Sequence, residues 1–129
     1  MSGKYLLDTN IVIALFAGEQ AVLGHLKDAI EVYIPSIVIG ELYYGAYKSR
    51  ETSNNLRRIE TFIASNSILG CDAVTAFHYG DIKEQLRQKG NPIPENDIWI
   101  AAIAHQFEYI LVSRDNHFSA VEGLIIESW

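Results

Sequence analysis

The chain has 129 residues, of which 49% are hydrophobic and 20% are charged, and its formal net charge is −6. This length and balance fit a single domain over residues 1–129 and argue against a disordered chain. The acidic charge also argues against a nucleic-acid binder that relies on basic side chains, although metal ions held by clustered carboxylates would supply local positive charge.

The sequence predicts a cytoplasmic protein without membrane contact. Cys71 is the only cysteine, so no intrachain disulfide forms, as expected in a reducing compartment. The apolar run at residues 11–17 is preceded by the polar Asp8 and Asn10 and is followed by no clear small-x-small cleavage site. The run is also too short to span a bilayer.

The first third of the chain predicts two strands, each followed by a helix. Apolar residues 5–7 predict a strand, and residues 8–10 offer N-cap side chains for the helix after it. Residues 31–34 predict a second strand, which a proline ends. Ser36 then caps a helix that reaches about Lys48.

The middle of the chain predicts a helix, a strand and a second helix. Residues 52–64 carry apolar side chains at helical spacing, and residues 67–71 predict a third strand. Asp72, with Thr75 three residues later, forms a capping pattern for a helix that continues to about residue 89.

The last third predicts a buried helix between two strands. A Pro-rich turn at residues 91–94 leads into a helix over residues 97–107 that is apolar on every side. Strands are predicted at residues 109–113 and 124–127. Strands that alternate with helices indicate an α/β fold with a mostly parallel central sheet covered on both faces.

Four acids lie at the edge of, or inside, strongly apolar runs: Asp8, Glu41, Asp97 and Asp115. A carboxylate beside buried surface is costly unless its charge is compensated, and one divalent cation compensates several carboxylates at once. Sites in open α/β sheets form outside the carboxyl ends of strands, where Asp8 and Asp115 are predicted to lie. The acids therefore predict a metal-dependent site suited to phosphoryl chemistry.

Each acid also has a structural explanation. Asp8 is a possible helix N-cap, although Asn10 would serve as well, and Asp97 gains from the dipole of the helix it begins. Asp115 suits a turn. For Glu41 the structural explanation is a solvent-facing side chain with incidental glycines nearby. However, Gly40 and Gly45 each cost a helix about 1 kcal/mol, which suggests clearance beside a ligand or a partner helix.

Four segments together resemble PIN-domain proteins of the VapC toxin type. They are Leu-Leu-Asp8-Thr-Asn, Ile-Gly-Glu41-Leu-Tyr-Tyr-Gly, Ile-Pro-Glu-Asn-Asp97-Ile-Trp-Ile-Ala-Ala and Leu-Val-Ser-Arg-Asp115-Asn-His-Phe. Each motif is short, but their order and spacing extend over nearly the whole chain. The resemblance implies a PIN-like α/β/α sandwich and a Mg²⁺- or Mn²⁺-dependent endoribonuclease whose products carry a 5′-phosphate and a 3′-hydroxyl.

The resemblance also assigns roles to residues and partners. Asp8, Glu41 and Asp97 match the acidic core, and Asp115 matches a fourth position that accepts Asp or Asn. Thr9 and Ser113 match positions whose hydroxyls support the acids. The family often carries an acid where this chain has His117. A cognate antitoxin would neutralise the toxin and would mediate any contact with operator DNA.

Three alternatives and one assembly remain open at this stage. A phosphatase or phospho-receiver is disfavoured because Asn10 stands where the phosphatase would need a second Asp. A non-catalytic binding module, in which the acids are only caps, would not bind Mn²⁺. A DNA-directed nuclease would use the same metal and acids. The Tyr-rich helix around Tyr43, Tyr44 and Tyr47 is predicted to help form a homodimer.

Overall fold

The structure, a computed structural model, describes residues 3–129. Within that range the chain alternates strands and helices as the sequence predicts. The strands are β1 (Lys4–Leu7), β2 (Glu31–Pro35), β3 (Ser67–Leu69), β4 (Ile110–Val112) and β5 (Ile126–Glu127). The helices are α1 (Thr9–Phe16), α2 (Gln20–Asp28), α3 (Ser36–Lys48), α4 (Thr52–Ala64), α5 (Ala73–Gln88) and α6 (Glu95–Phe107), with a 3₁₀ helix at Asn116–Ala120.

All five strands form one parallel sheet in the order β3-β2-β1-β4-β5. The predicted α/β fold with a parallel central sheet is thereby confirmed. Strands β1 and β4 lie side by side at the centre, with Leu7 opposite Val112. The residues that follow them, Asp8 and Ser113, therefore emerge at neighbouring points of the carboxyl edge of the sheet.

The core lies between the sheet and its helices. Leu6, Ile34 and Leu111 of the central strands have no exposed surface. Helix α6 buries Ile98 and every residue from 100 to 104, so the prediction of a buried helix is confirmed. Each Leu or Ile buried in this way stabilises the fold by about 1.5–3 kcal/mol, which gives the carboxyl edge of the sheet a rigid base.

Several element boundaries differ from the prediction. Helix α6 begins two residues early, at Glu95, because the carbonyl of Pro94 accepts the amide hydrogens of both Asp97 and Ile98. Strands β3, β4 and β5 are shorter than predicted. Two elements were not predicted: α2, which buries only Val22, and the 3₁₀ helix at residues 116–120.

Among the described residues, no single helix has the length and apolar character needed to cross a membrane. Helices α1 and α2 meet that test only when they are taken together, and they are bent by 108° relative to each other.

Candidate functional site

The four predicted acids converge at the carboxyl edge of the sheet. Asp8 directly follows β1, and Asp115 follows β4 by three residues. Glu41 lies within α3, and Asp97 lies in the first turn of α6. The negative charges of Asp97 and Glu41 raise the pKa of Asp8, and those of Asp115 and Glu41 raise the pKa of Asp97. The fold therefore brings carboxylates from four separate segments into one electrostatically coupled cluster.

Asp8 is the most buried of the four, with 4% of its surface exposed. Its Oδ1 accepts the amide hydrogen of Thr9 at 2.8 Å, so Asp8 itself caps α1. Of the two possible caps, the structure uses Asp8 and not Asn10. The Asn10 side chain instead donates to Asp8 Oδ2 at 3.2 Å and accepts the amide hydrogen of Arg114 at 3.1 Å, which joins α1 to the segment after β4.

Ser113 links the ends of the two central strands. Its hydroxyl donates to Asp8 Oδ2 at 2.7 Å and accepts the amide hydrogen of Asp115 at 3.0 Å. Thr9 has a comparable contact, because its hydroxyl donates to Glu41 Oε1 at 2.7 Å. Each hydroxyl thus holds a carboxylate from a different element, and a fixed carboxylate is a better preorganised ligand than a mobile one.

Burial is the largest cause of the raised pKa of both Asp8 and Asp97. For Asp8 the effect exceeds the opposing hydrogen bonds from Ser113 and Thr9, and for Asp97 it exceeds the opposing hydrogen bond from His117. A carboxyl whose pKa rises by burial and like charge lies where its anion is poorly compensated. The site therefore lacks positive charge and would be stabilised by a cation.

The side chain of Glu41 lies beside open space. Apart from the chain neighbours and the nearby backbone of α3 itself, no atom of the described residues lies within 4 Å of a Cβ built on Gly40 or Gly45, so no other helix of this chain packs against either glycine. A groove of about 550 Å³ runs past them and is bordered by Thr9, Glu41 and Lys48. The space beside the two glycines is therefore open to a ligand or to a partner helix, and both predicted reasons stay predictions.

His117 occupies a place among the acids that sequence reasoning did not assign. Its Nδ1 lies 3.0 Å from Asp97 Oδ2 and 3.0 Å from Asp115 Oδ1. Asp115 also accepts the amide hydrogen of His117 at 2.9 Å, as expected for a turn-forming Asp. Two signals in the sequence point to this position: the Asp-x-His spacing at a strand end, and the resemblance, in which an acid often stands where this chain has His117.

The donor set fits a divalent cation. Each carboxylate can accept about four hydrogen bonds or metal contacts. Glu41 accepts one hydrogen bond, from Thr9, and Asp8 Oδ1 accepts one, from the Thr9 amide. Among the described residues, the other acceptor positions of Glu41 and the second lone pair of Asp8 Oδ1 have no donor. Oxygen donors of this kind are the ligands that Mg²⁺ and Mn²⁺ prefer. Asp72, by contrast, forms a capping box with Thr75 at the start of α5.

The raised pKa of Asp8 makes the stability of the metal-free protein depend on pH. Between the ordinary value of 3.8 and the raised value, the folded state binds more protons than the unfolded state, so the free energy of unfolding falls as pH rises. Asp8→Asn should remove this loss. In EDTA, the variant should gain stability relative to the unmodified protein as the pH rises above the ordinary pKa of 3.8, as urea unfolding would measure. Parallel pH profiles would contradict this assignment.

Comparisons with known proteins agree with this geometry. Residues 5–124 match the family model described as PIN domain. The chain is 40% identical to ribonuclease VapC2 of Haemophilus influenzae, with 98% of each chain covered. It is 34% identical to the tRNA(fMet)-specific endonuclease VapC of Shigella flexneri, again over 98% of each.

Solved structures also resemble this chain over its full length. The crystal structure of DNA-bound VapBC from Salmonella typhimurium matches with a TM-score of 0.91 and 31% identity, covering 100% of this chain and 99% of that one. VapBC2 from Rickettsia felis, bound to a DNA fragment from its promoter, matches with a TM-score of 0.88 and 32% identity over 97% of this chain and 98% of that chain.

Proposed function

The chain belongs to the PIN domain family, and we propose that its acidic cluster is the active site of a metal-dependent endoribonuclease toxin. The observation that carries this proposal is the meeting of Asp8, Glu41, Asp97 and Asp115 at the carboxyl edge of the sheet, with two of the four carboxyls raised in pKa. If each acid only capped its own helix, the fold would not need to bring the four carboxylates together. A cluster that needs a cation is suited to phosphodiester hydrolysis.

The chain's own residues prepare this pocket for a cation of the Mg²⁺ or Mn²⁺ class. Asp8 and Asp97 are the proposed direct ligands, and Glu41 and Asp115 complete the pocket. When bound, such a cation activates water and stabilises the charge that develops on the phosphate. Ser113 holds Asp8, and Thr9 holds Glu41, so both carboxylates are oriented before substrate arrives.

RNA is the proposed substrate because the similar proteins from Haemophilus influenzae and Shigella flexneri are named as a ribonuclease and a tRNA endonuclease. The open groove beside Gly40 and Gly45 adjoins Glu41, so an extended strand has access to the acids. Lys48 lies in the same groove and supplies a cation for the backbone phosphates. Cellular RNA of this kind, the proposed substrate, is found in the cytoplasm, and we therefore propose a cytoplasmic location for the enzyme.

A cognate antitoxin is the proposed regulator, because the similar solved structures are VapBC complexes bound to DNA. A second groove, of about 400 Å³, also borders Glu41 and is lined by Ile13, Phe16, Leu42 and Arg58 among others. Ile13 is 55% exposed there. This apolar surface beside an acidic pocket suits an amphipathic segment with a basic side chain, and contact with operator DNA would pass through that partner.

The test is cleavage of total cellular RNA by antitoxin-free protein with Mg²⁺, with Mn²⁺ and with EDTA. Glu41→Gln keeps an acceptor for Thr9 but loses the charge, so cleavage should fall on the order of 10²-fold, or about 2.7 kcal/mol. Glu60→Gln, on the exposed face of α4, is the matched control and should cleave normally. Adding the antitoxin should stop cleavage.

Two results would contradict the proposal. Cleavage that persists in EDTA would remove the role of the cation. No cleavage of RNA together with no Mn²⁺ binding would favour the binding module, and cleavage of DNA alone would favour the DNA-directed alternative. The predicted homodimer stays a prediction. Tyr44 and Tyr47 are 65% and 66% exposed and free to form it, and a monomer in sedimentation at high concentration would contradict it.

A further inference from the structure

The imidazole of His117 lies where three potential ligands meet. Its Nδ1 is 3.0 Å from Asp97 Oδ2 and 3.0 Å from Asp115 Oδ1, and the three atoms lie within 4.8 Å of one another. Adjacent ligands around an ion with bonds of about 2.1 Å are about 3.0 Å apart. The nitrogen therefore lies at the spacing of a neighbouring ligand from each of the two oxygens.

The position of this ring is built into the fold. Asp115 accepts the amide hydrogen of His117, and the next residue, Phe118, is completely buried. The 3₁₀ helix is consequently anchored to the core immediately beside the ring. His117 is also half-exposed, so a ligand reaches it without unfolding the segment. A simple hydrogen bond from the ring to one carboxylate would explain one of these contacts. It would not explain why a second carboxylate lies at the same distance of 3.0 Å from Nδ1.

We propose that His117 supplies Nδ1 as a ligand to a divalent cation shared with Asp97 and Asp115, and that this nitrogen makes the site favour first-row transition cations such as Mn²⁺ over Mg²⁺. The proposal rests on the proposed function, because it concerns the cation of the same pocket. Mg²⁺ prefers oxygen ligands only, whereas affinities of a site with nitrogen donors rise from Mn²⁺ to Co²⁺. The remaining acids, Asp8 and Glu41, supply oxygen alone.

The test uses tag-free protein and two measurements that do not depend on activity. Electron spin-echo spectroscopy of the Mn²⁺ complex detects coupling to a directly bound ¹⁴N, which should be present in the unmodified protein and absent from His117→Ala. Titration of Mn²⁺ and Mg²⁺ should show about a tenfold or larger loss of Mn²⁺ affinity in His117→Ala, with much less effect on Mg²⁺. His117→Asp, which replaces the nitrogen by an oxygen donor, should bind Mg²⁺ at least as tightly as the unmodified protein and should lack the nitrogen signal.

Two further variants separate the possible failures. His78→Ala removes a histidine on α5 and should leave the spectrum and both affinities unchanged. Asp97→Asn should weaken the binding of both Mn²⁺ and Mg²⁺. Absence of the ¹⁴N coupling, or equal loss of Mn²⁺ and Mg²⁺ affinity in His117→Ala, would overturn the role of His117. If Asp97→Asn still lost cation binding in that case, the metal pocket of the proposed function would stand without His117. If neither His117→Ala nor Asp97→Asn weakened cation binding, both the role of His117 and the metal pocket of the proposed function would be contradicted.

Discussion

Replacement of Asp97 by Asn should reduce RNA cleavage on the order of 10³-fold while the protein stays folded. Asp97 is coupled to every other acid that surrounds the pocket: its pKa is raised by the charges of Asp115 and Glu41, and its own charge raises that of Asp8. It also contacts His117. Among the four carboxylates, Asp97 alone is coupled to all three others, so its loss should reduce cleavage more than the loss of Glu41 does.

The variant should keep its stability because two effects oppose each other. Asn removes a largely buried charge, which favours the folded state in the absence of metal. It also removes an acid from the first turn of α6, where the helix dipole favours a negative charge by about 0.3–1 kcal/mol. Urea unfolding of the variant in EDTA should therefore differ little from that of the unmodified protein. The loss should appear only in the cleavage rate, measured at saturating Mn²⁺.

The matched control is Asp81→Asn, which changes an exposed acid on α5 that only accepts a hydrogen bond from Gln85. Its cleavage rate should equal that of the unmodified protein. Near-normal cleavage by Asp97→Asn would remove Asp97 from the site and would leave its contact with His117 as a structural feature. Unfolding of the variant would show instead that the acid is needed for the fold.

The sheet and the position of the acids were predictable because both depend on local patterns. Apolar runs such as residues 5–7 predict parallel strands, and acids placed directly after them must lie at the carboxyl edge. Glu41 was predictable for a different reason: a mid-helix acid with glycines one residue before it and four after it is unfavourable unless the surface there must stay open.

The details of the site were less predictable because they depend on contacts between distant segments. Asp8 and Asn10 are both good N-cap residues, and only the position of Ser113 and the Arg114 amide, more than 100 residues away, decides that Asn10 turns toward β4. The contact of His117 with Asp97 spans 20 residues and requires the 3₁₀ helix at residues 116–120. A five-residue helix carries too little periodicity to be recognised.

Helix α2 was not predicted for a related reason. Four of its nine residues are polar, one is glycine, and Val22 is the only side chain it buries completely. A helix with so narrow an apolar face depends on tertiary packing more than on its own pattern. By contrast, the capping box of α5 was predicted correctly, because Asp72 and Thr75 interact within one turn and need no distant partner.

Phe118→Ala should destabilise the protein by about 3–5 kcal/mol, the cost of removing a large buried aromatic ring and leaving a cavity. Phe118 has no exposed surface and is the largest of the fully buried side chains. Total stability of a domain this size is about 5–15 kcal/mol, so much of it should be lost. Urea unfolding at pH 7 measures the change as a shift in midpoint at constant slope.

Phe77→Ala makes the same chemical change at a position that is 70% exposed, and it should alter stability by about 0.5 kcal/mol or less. The comparison also bears on the site, because Phe118 follows His117 in the 3₁₀ helix. If the buried ring anchors that segment, Phe118→Ala should lose Mn²⁺ affinity under conditions where it is still folded, whereas Phe77→Ala should not. If Phe118→Ala destabilised the protein as little as Phe77→Ala is expected to, the 3₁₀ helix would not be anchored through Phe118. The position of His117 would then need another support.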